Sequence, residues 1–363
     1  MRTPFGADWD DLSVEHLLAF FGEPRNEGLR WEAKGGDIRR EHIREGVCGF
    51  ANSYFGGFLV LGATQDKKTK AWTIDHWRPR DEVELWVQNC VGDGGVDPAP
   101  SIDPKAWPLD DGGWLAVVLV YPVAVPPAIT SDGGVWVRTS GATPQVRDAA
   151  TLRDLITRGE AARERAKQLS MEAAADLYGA SPEARKAMMV VAAAAPGVPA
   201  DASSLVFRES FWRGALINQI KTRLAQYAAQ GLQQSVQVHT AMDQGAVTVW
   251  NDDGFHGDTG FSVRVGRHGT VAVAYNDAET ESAVDLVRSD DTDLRRLVAS
   301  AVDLIKALDG RGPIHLAMRF RDRRLGDVDV TRWTEMDGVE DGLIQSIGRE
   351  LRRSKGHFEA EPE

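Results

Sequence analysis

Cysteine is almost missing from this chain: Cys48 and Cys90 are the two in 363 residues, and no Cys-x-x-Cys occurs. That excludes a disulfide framework and a zinc knuckle. Positive charge is also short. Forty-two Lys and Arg stand against 54 Asp and Glu, a formal charge of -12. A protein that coats nucleic acid by bulk charge is excluded, while a local basic patch is not. Long apolar runs are lacking too. The longest, Trp114 to Ile129, holds Pro122, Pro126 and Pro127 and falls short of the roughly 18–20 residues of a membrane span. Met1 to Asp11 has no apolar core and carries Asp8, Asp10 and Asp11, the wrong charge for a signal or transit peptide. A soluble, cytoplasmic protein with no membrane partner is the expectation. No GxxxxGK[ST], HExxH or GxSxG is present, and the eight histidines show no ligand spacing. Gly254, Gly257 and Gly260 form a GxxGxxG, but not between a strand and a helix, so it does not read as a dinucleotide fingerprint.

What is present can build a sizeable core. Hydrophobic residues make up 42% and charged residues 26%, and the length predicts two domains, with three as the upper reading. Apolar spacing predicts helices over Ser13–Phe21, Ile38–Phe50 and Glu82–Val91, and over Thr151–Gly159 and Glu160–Tyr178. Strands are expected at Leu29–Lys34, Phe58–Gly62, Trp72–Ile74, Trp114–Tyr121 and Val135–Arg138. The Ala/Pro/Gly/Ser run Val191–Ser204 reads as a linker. After it come a helix at Phe211–Ala229 and a meander of strands near Ser235–Thr240, Ala246–Asn251, Phe261–Val265 and Thr270–Tyr275. A helix at Asp291–Leu308, strands near Ile314–Phe320 and Val328–Thr331, and a helix at Glu340–Arg353 complete the chain. Val236–Thr240 is half polar, which predicts a sheet with one wet face, covered on the other by Leu294, Leu297, Val298, Ala301, Leu304 and Ile305.

Chemistry concentrates between Glu27 and Asp66. Glu32 and Lys34 are two apart on a strand and so share one face. A carboxylate and an ammonium on one face is an arrangement of metal-dependent nucleases, where carboxylates hold Mg²⁺ and a lysine steadies charge at the phosphate. It is equally that of a common surface ion pair, and spacing alone favours the pair. Asp66 follows the apolar strand at its carboxyl end. Gly56-Gly57 permits a tight turn from helix to strand, and Asn52 can hold that turn with its side chain.

Glu27-Gly28-Leu29-Arg30-Trp31-Glu32-Ala33-Lys34, a helix, then Phe50-Ala51-Asn52-Ser53-Tyr54-Phe55-Gly56-Gly57 and the strand Phe58–Gly62 together resemble the Schlafen-type AlbA-like domain. That pattern is a glutamate, four residues, Glu-Phe-Lys, a helix, Ala-Phe-Ala-Asn-Thr-x-Gly-Gly and an apolar strand with an acidic residue after it. Trp114–Pro127 and Val135–Thr143 resemble its later strands, so the likeness covers about residues 13–160. The Asn-to-Gly-Gly block is one residue longer here than in the family, Ala33 and Ala63 replace Phe and Val, and the usual aspartate position holds Gln65.

The resemblance implies a mixed sheet with helices over residues 1–160; composition and periodicity add a helical segment and linker over 161–202 and a second α+β domain with an antiparallel meander over 203–356, so an α+β chain is expected. The resemblance further implies a metal-dependent endoribonuclease acting on structured RNA such as transfer RNA. Glu27, Glu32 and Asp66 would bind Mg²⁺ or Mn²⁺, with Lys34 at the phosphate. Arg39, Arg40, Arg44, Lys67, Lys68 and Arg138 are the candidate nucleic-acid contacts; for Arg40 and Arg44 an ordinary solvated helix face is the competing reading. The alternative is a non-catalytic nucleic-acid-binding or regulatory protein, favoured by Gln65 and by residues 1–150 carrying 15 Lys and Arg against 22 Asp and Glu. Schlafen nucleases resemble two such domains forming a groove, so a homodimer is expected from this single copy. Most tryptophans should be core, although Trp77 beside Arg78 and Arg80 could stack on a base. The second domain is assigned ligand or partner recognition by elimination. Its Arg319, Arg321, Arg323 and Arg324 read as a charged edge strand.

Overall fold

The structure, a computed structural model, describes residues 2–75, 77–78, 82–92, 94–179, 187–197, 238–242, 246–251, 259–266, 268–277, 292–308, 310–322, 326–334 and 341–354. It is an α+β chain that divides into two compact units, Met1–Glu160 and Ala161–Glu363. Among the described residues no helix is long and apolar enough to cross a membrane.

In the first unit, α1 (Val14–Phe21) begins after Ser13, whose backbone N–H donates to His16 Nδ1, and ends where the Gly22 N–H meets Leu18 O. The central sheet contains β1 (Trp31–Lys34), β2 (Gly57–Leu61), β6 (Ile102–Pro108) and β7 (Trp114–Val120), in the order β1-β2-β7-β6. β1 and β2 are parallel and the other pairs antiparallel. Every residue of β2 is buried, because both faces of the sheet are covered. Phe58, Val60, Leu115 and Val117 pack with Trp9, Leu17, Phe20 and Trp31. Leu59, Leu61, Ala116 and Val118 pack with Ile43, Val47 and Phe50 of α2 (Arg40–Ala51) and Val87 and Cys90 of α3 (Val83–Val91). Alternation along β1 therefore sends Trp31 to the α1 side, and places Glu32, opposite Leu59, on the α2 side.

Along the chain β2 is followed by a hairpin, β3 (Ala63–Gln65) with β4 (Trp72–Ile74), and two two-residue strands, β5 (Val96–Asp97) and β8 (Ile129–Thr130), pair with each other apart from the central sheet. The turn into β2 needs Gly56: its φ is +63°, and a Cβ there would lie 2.1 Å from Val120 O. Asn52 is buried, but its side chain does not hold that turn, which Ser53 Oγ braces through Phe50 O and Gly56 O; it reaches across to residues 128 and 136. Its Oδ1 accepts from Ala128 N (2.7 Å), and its Nδ2 donates to Ala128 O and Trp136 O (2.9 Å each). Trp77 is buried against Trp86, a core position rather than a base-stacking one.

Two sequence expectations fail here. Val135–Arg138 is not a strand: Trp136 forms one isolated bridge with Gln145. Val137 N donates to Pro144 O, but Pro144 has no N–H to return, so no ladder extends. The two helices expected on either side of Gly159 are one, α4 (Ala149–Gly179). Gly159 is a point of close approach, since a Cβ there would sit 2.3 Å from Pro126 O.

The second unit is built on seven antiparallel strands: β9 (Ala187–Ala194), β10 (Val238–Met242), β11 (Ala246–Asn251), β12 (Thr259–Gly266), β13 (Val271–Asp277), β14 (Ile314–Asp322) and β15 (Gly326–Thr334). Their order is β10-β11-β12-β13-β9-β14-β15. The expected meander is β10 to β13. The expected linker is corrected. Residues 191–194 belong to β9, which pairs with β13 and β14 in the interior of the sheet. The alanines are there because helices close on β9 from both faces, and Pro196-Gly197 ends the strand. Val191 and Ala193 pack with α5 (Thr292–Ala307), whose Leu294, Leu297, Val298, Ala301, Leu304 and Ile305 are all buried as the stripe predicted. Met188, Val190 and Ala192 pack with Ala174, Leu177 and Tyr178 of α4. The face expected to be wet is thus covered at β9, β13 and β14. Ile344 and Ile347 of α6 (Asp341–Ser354) join the α5 side. Residues 198–204, the helix expected at Phe211–Ala229, Gly254 and Gly257 lie outside the described residues; Gly260 lies in β12.

The arginine-rich segment is also corrected. β14 is interior, and its arginines face cross-strand aspartates rather than guarding an edge. Arg319 holds Asp329 with Nε at 2.6 Å and Nη2 at 2.7 Å, and Arg321 lies 3.9 Å from Asp327. Arg323 and Arg324 lie outside the described residues.

Candidate functional site

β1 is the edge of its sheet, and the way that edge is closed determines what the glutamates do. Arg30 O and Lys34 O accept from Phe58 N and Gly62 N, so the even residues of β1 turn their backbone toward β2. The odd residues turn outward, where among the described residues Ala33 N–H and Trp31 C=O have no strand to meet. Glu27 Oε1 accepts from Ala33 N (2.9 Å), and Arg138 Nη2 donates to Trp31 O (2.8 Å). Arg138 also reaches Gly28 O through Nε (3.1 Å) and Nη2 (2.9 Å), and Glu27 Oε2 through Nη2 (3.1 Å). Side chains therefore take the place of a further strand, and the edge presents no free ladder.

Glu32 completes the cluster. Its Oε2 accepts from Thr143 Oγ1 (2.6 Å) and lies 3.2 Å from Arg138 Nη1; its Oε1 pairs with Lys34 Nζ at 2.7 Å. The shared face of Glu32 and Lys34 follows from strand alternation. The Arg138 side chain is fully buried and that of Glu32 is 6% exposed. Arg138 N is fixed in turn to Gly49 O (3.1 Å), placing the guanidinium below the end of α2. Both carboxylates are thus held by a buried cation and by several hydrogen-bond donors.

Asp66 is not among these contacts. It closes the β3–β4 turn: Oδ1 accepts from Lys68 N (2.8 Å), Thr69 N (2.7 Å) and Thr69 Oγ1 (3.0 Å). These bonds, the Thr69 N–H foremost, hold its pKa below the usual carboxylate value. Among the described residues no three His, Cys, Asp or Glu side chains form a group able to hold a metal ion. Gln65, at the expected aspartate position, donates to Arg25 O. The acid that does reach the end of β1 is Asp75, whose Oδ2 accepts from Gly36 N (2.7 Å) and Thr64 Oγ1 (2.5 Å). Sequence reasoning missed it. The signal was the hairpin register, which sets Ile74 opposite Ala63 and brings Asp75 N to Gly62 O.

The candidate nucleic-acid contacts divide. Lys67 and Lys68 are exposed in the β3–β4 turn, beside exposed Lys70, and Arg40 is exposed at the start of α2. Arg39 is exposed but paired with Asp37 at 3.0 Å. Arg44 is committed to its own unit, with Nε on Cys90 O (2.9 Å) and Nη1 on Ser131 Oγ (3.1 Å). Arg138, being buried, cannot touch a nucleic acid.

No family model matches the chain, and no curated protein matches it. Among solved structures, the DIP2311 protein from Corynebacterium diphtheriae is similar at 17% identity and a TM-score of 0.23, over 34% of this chain and 22% of that one. A likeness at that score carries no statement about fold or function.

Proposed function

We propose that the first unit is a nucleic-acid-binding module of the Schlafen AlbA-like kind that binds without metal-dependent cleavage. The observation that supports it is Arg138. A divalent cation shared by Glu27 and Glu32 would have to sit beside a guanidinium that is fully buried and tied to Gly28 O and Trp31 O. The guanidinium already supplies the positive charge a metal would bring, and its hydrogen bonds occupy lone pairs a metal would need. Binding then falls to exposed cations on an acidic chain: Lys67, Lys68 and Lys70 in the β3–β4 turn, and Arg40 at the start of α2.

The second reading is the metal-dependent endoribonuclease acting on structured RNA such as transfer RNA, with Mg²⁺ or Mn²⁺ at Glu27 and Glu32. The Glu32–Lys34 pair on one strand face favours it. A gel-shift and cleavage assay with transfer RNA, run in Mn²⁺ and in EDTA at 50 and 200 mM salt, separates the two. The expected result is binding that weakens with salt, is indifferent to EDTA, and leaves the RNA whole. Mn²⁺-dependent cleavage that is lost in Glu32→Gln would overturn it for the nuclease reading.

A further inference from the structure

Two aromatic rings stand exposed on the loop between α2 and β2. Tyr54 is 66% exposed and Phe55 77% exposed, with ring centroids 6.4 Å apart. The loop beneath them is braced. Ser53 Oγ bonds Phe50 O (2.8 Å) and Gly56 O (3.3 Å), and Gly56 lies against Val120 O. Arg158 comes from α4 with its Cζ 3.8 Å from the Tyr54 ring centroid, oriented by a bond from Nη1 to Asn52 O (3.1 Å). No carboxylate pairs with Arg158 among the described residues.

From this juxtaposition we infer that Tyr54, Phe55 and Arg158 form a stacking site for unpaired nucleobases, with Arg158 meeting the adjoining phosphate. The inference deepens the nucleic-acid-binding reading above and rests on it. Flat rings in water gain by covering a flat apolar face, and a base offers one whatever its identity. Among the described residues the cation on Tyr54 has no carboxylate partner, and a phosphate next to the stacked base supplies an anion. A duplex keeps its base faces covered, so single strands are the form selected. A second copy of this chain is the poorer occupant: a twofold contact over this patch would set Arg158 near Arg158.

The test is fluorescence anisotropy with fluorescein-labelled 12-mers of oligo(U) and oligo(dT) and a 12-base-pair duplex, over a salt series. Tyr54→Ala/Phe55→Ala, at exposed positions, should weaken single-strand binding by about tenfold or more. It should leave the salt slope, the thermal melt and duplex binding unchanged. Arg158→Gln should reduce the salt slope by about one. In Phe55→Trp the indole fluorescence should be quenched on adding oligo(U). If the wild type binds transfer RNA or oligonucleotides and the double variant binds them equally, or the introduced indole does not respond, this inference falls and the binding reading stands. If the wild type binds no nucleic acid, both fall. If the double variant instead converts a dimer to a monomer in sedimentation, the patch is an interface between copies and the inference is overturned.

Discussion

The first unit buries the Arg138 side chain completely between two glutamates, whereas the second leaves Arg319 and Arg321 30% and 25% exposed against Asp329 and Asp327. The residue types are the same and the settings opposite. In water a pair of charges gains little over its hydrated parts; in a dry interior each charge depends on its partner. A buried ionisable side chain of the second unit, His315, is instead kept neutral. His315 is 2% exposed on β14, with Nδ1 2.7 Å from Ser170 Oγ and its ring edge-on to Trp333. At these ionisable groups the first unit thus answers desolvation with charge pairing, and the second with neutrality or with exposure.

Removing Arg138 tests that comparison hardest. Arg138→Met would leave Glu27 and Glu32 short of their buried cation and Trp31 O without its donor. The expected loss is about 3–5 kcal/mol, read by chemical denaturation. Arg138→Lys keeps the charge but should recover less than half, because one ammonium cannot reach Gly28 O, Trp31 O, Thr143 Oγ1 and two carboxylates in the guanidinium's fixed fork. Native-like stability in Arg138→Met would mean that the cluster is incidental to the edge of the sheet.

Acid should act on the second unit through His315. Burial, with Lys167 next in effect and Glu164 opposing, pushes its pKa from 6.5 down to about 4. The unfolded chain therefore binds this proton first as pH falls. The contribution of neutral His315 is whole above about pH 6.5, is lost progressively between 6.5 and 4, and is constant below that. The loss is on the order of 3 kcal/mol. Urea midpoints from pH 7.5 to 4.5 should fall more steeply in the wild type than in His315→Leu, where Ser170 Oγ keeps its bond to Lys167 O. Parallel slopes would show that His315 is not held neutral by the fold.

How much of this was legible follows the range of the signals. Phe58–Leu61, apolar at every position, reads as a strand covered on both faces, and the α5 stripe reads at its 3.6-residue period. Glu32 and Lys34 share a face by the two-residue period of a strand. β9 reads wrongly because its alanines and the following Pro-Gly have the composition of a linker. The competing signal, Met188-Met189-Val190-Val191, is as apolar as Phe58–Leu61. The purpose of Glu27 is illegible for a different reason. Its partner Arg138 is 111 residues away, and no local pattern states which outward backbone groups of β1 need covering. Asp66 reads as a site residue because it follows a strand, while its own turn, with Thr69 three residues on, is the nearer claimant.

The smallest effect expected is at Arg319, and its smallness is what the comparison requires. The pair with Asp329 has good geometry, two bonds of 2.6 and 2.7 Å across directly opposed positions of β14 and β15. Geometry alone would rank it beside the Arg138 cluster. Exposure reverses that ranking: the Asp329 side chain is 54% exposed, so water replaces the guanidinium when it is removed. The Cζ of Arg319 also lies 5.3 Å from the Tyr178 ring, but Arg321 covers that ring more closely, at 4.1 Å. Arg319→Ala should therefore cost less than about 1 kcal/mol, and a double-mutant cycle with Asp329→Ala should return a coupling of about the same size that shrinks in high salt. A coupling of several kcal/mol, unchanged by salt, would place this pair in the same class as Arg138 and remove the distinction between the two units.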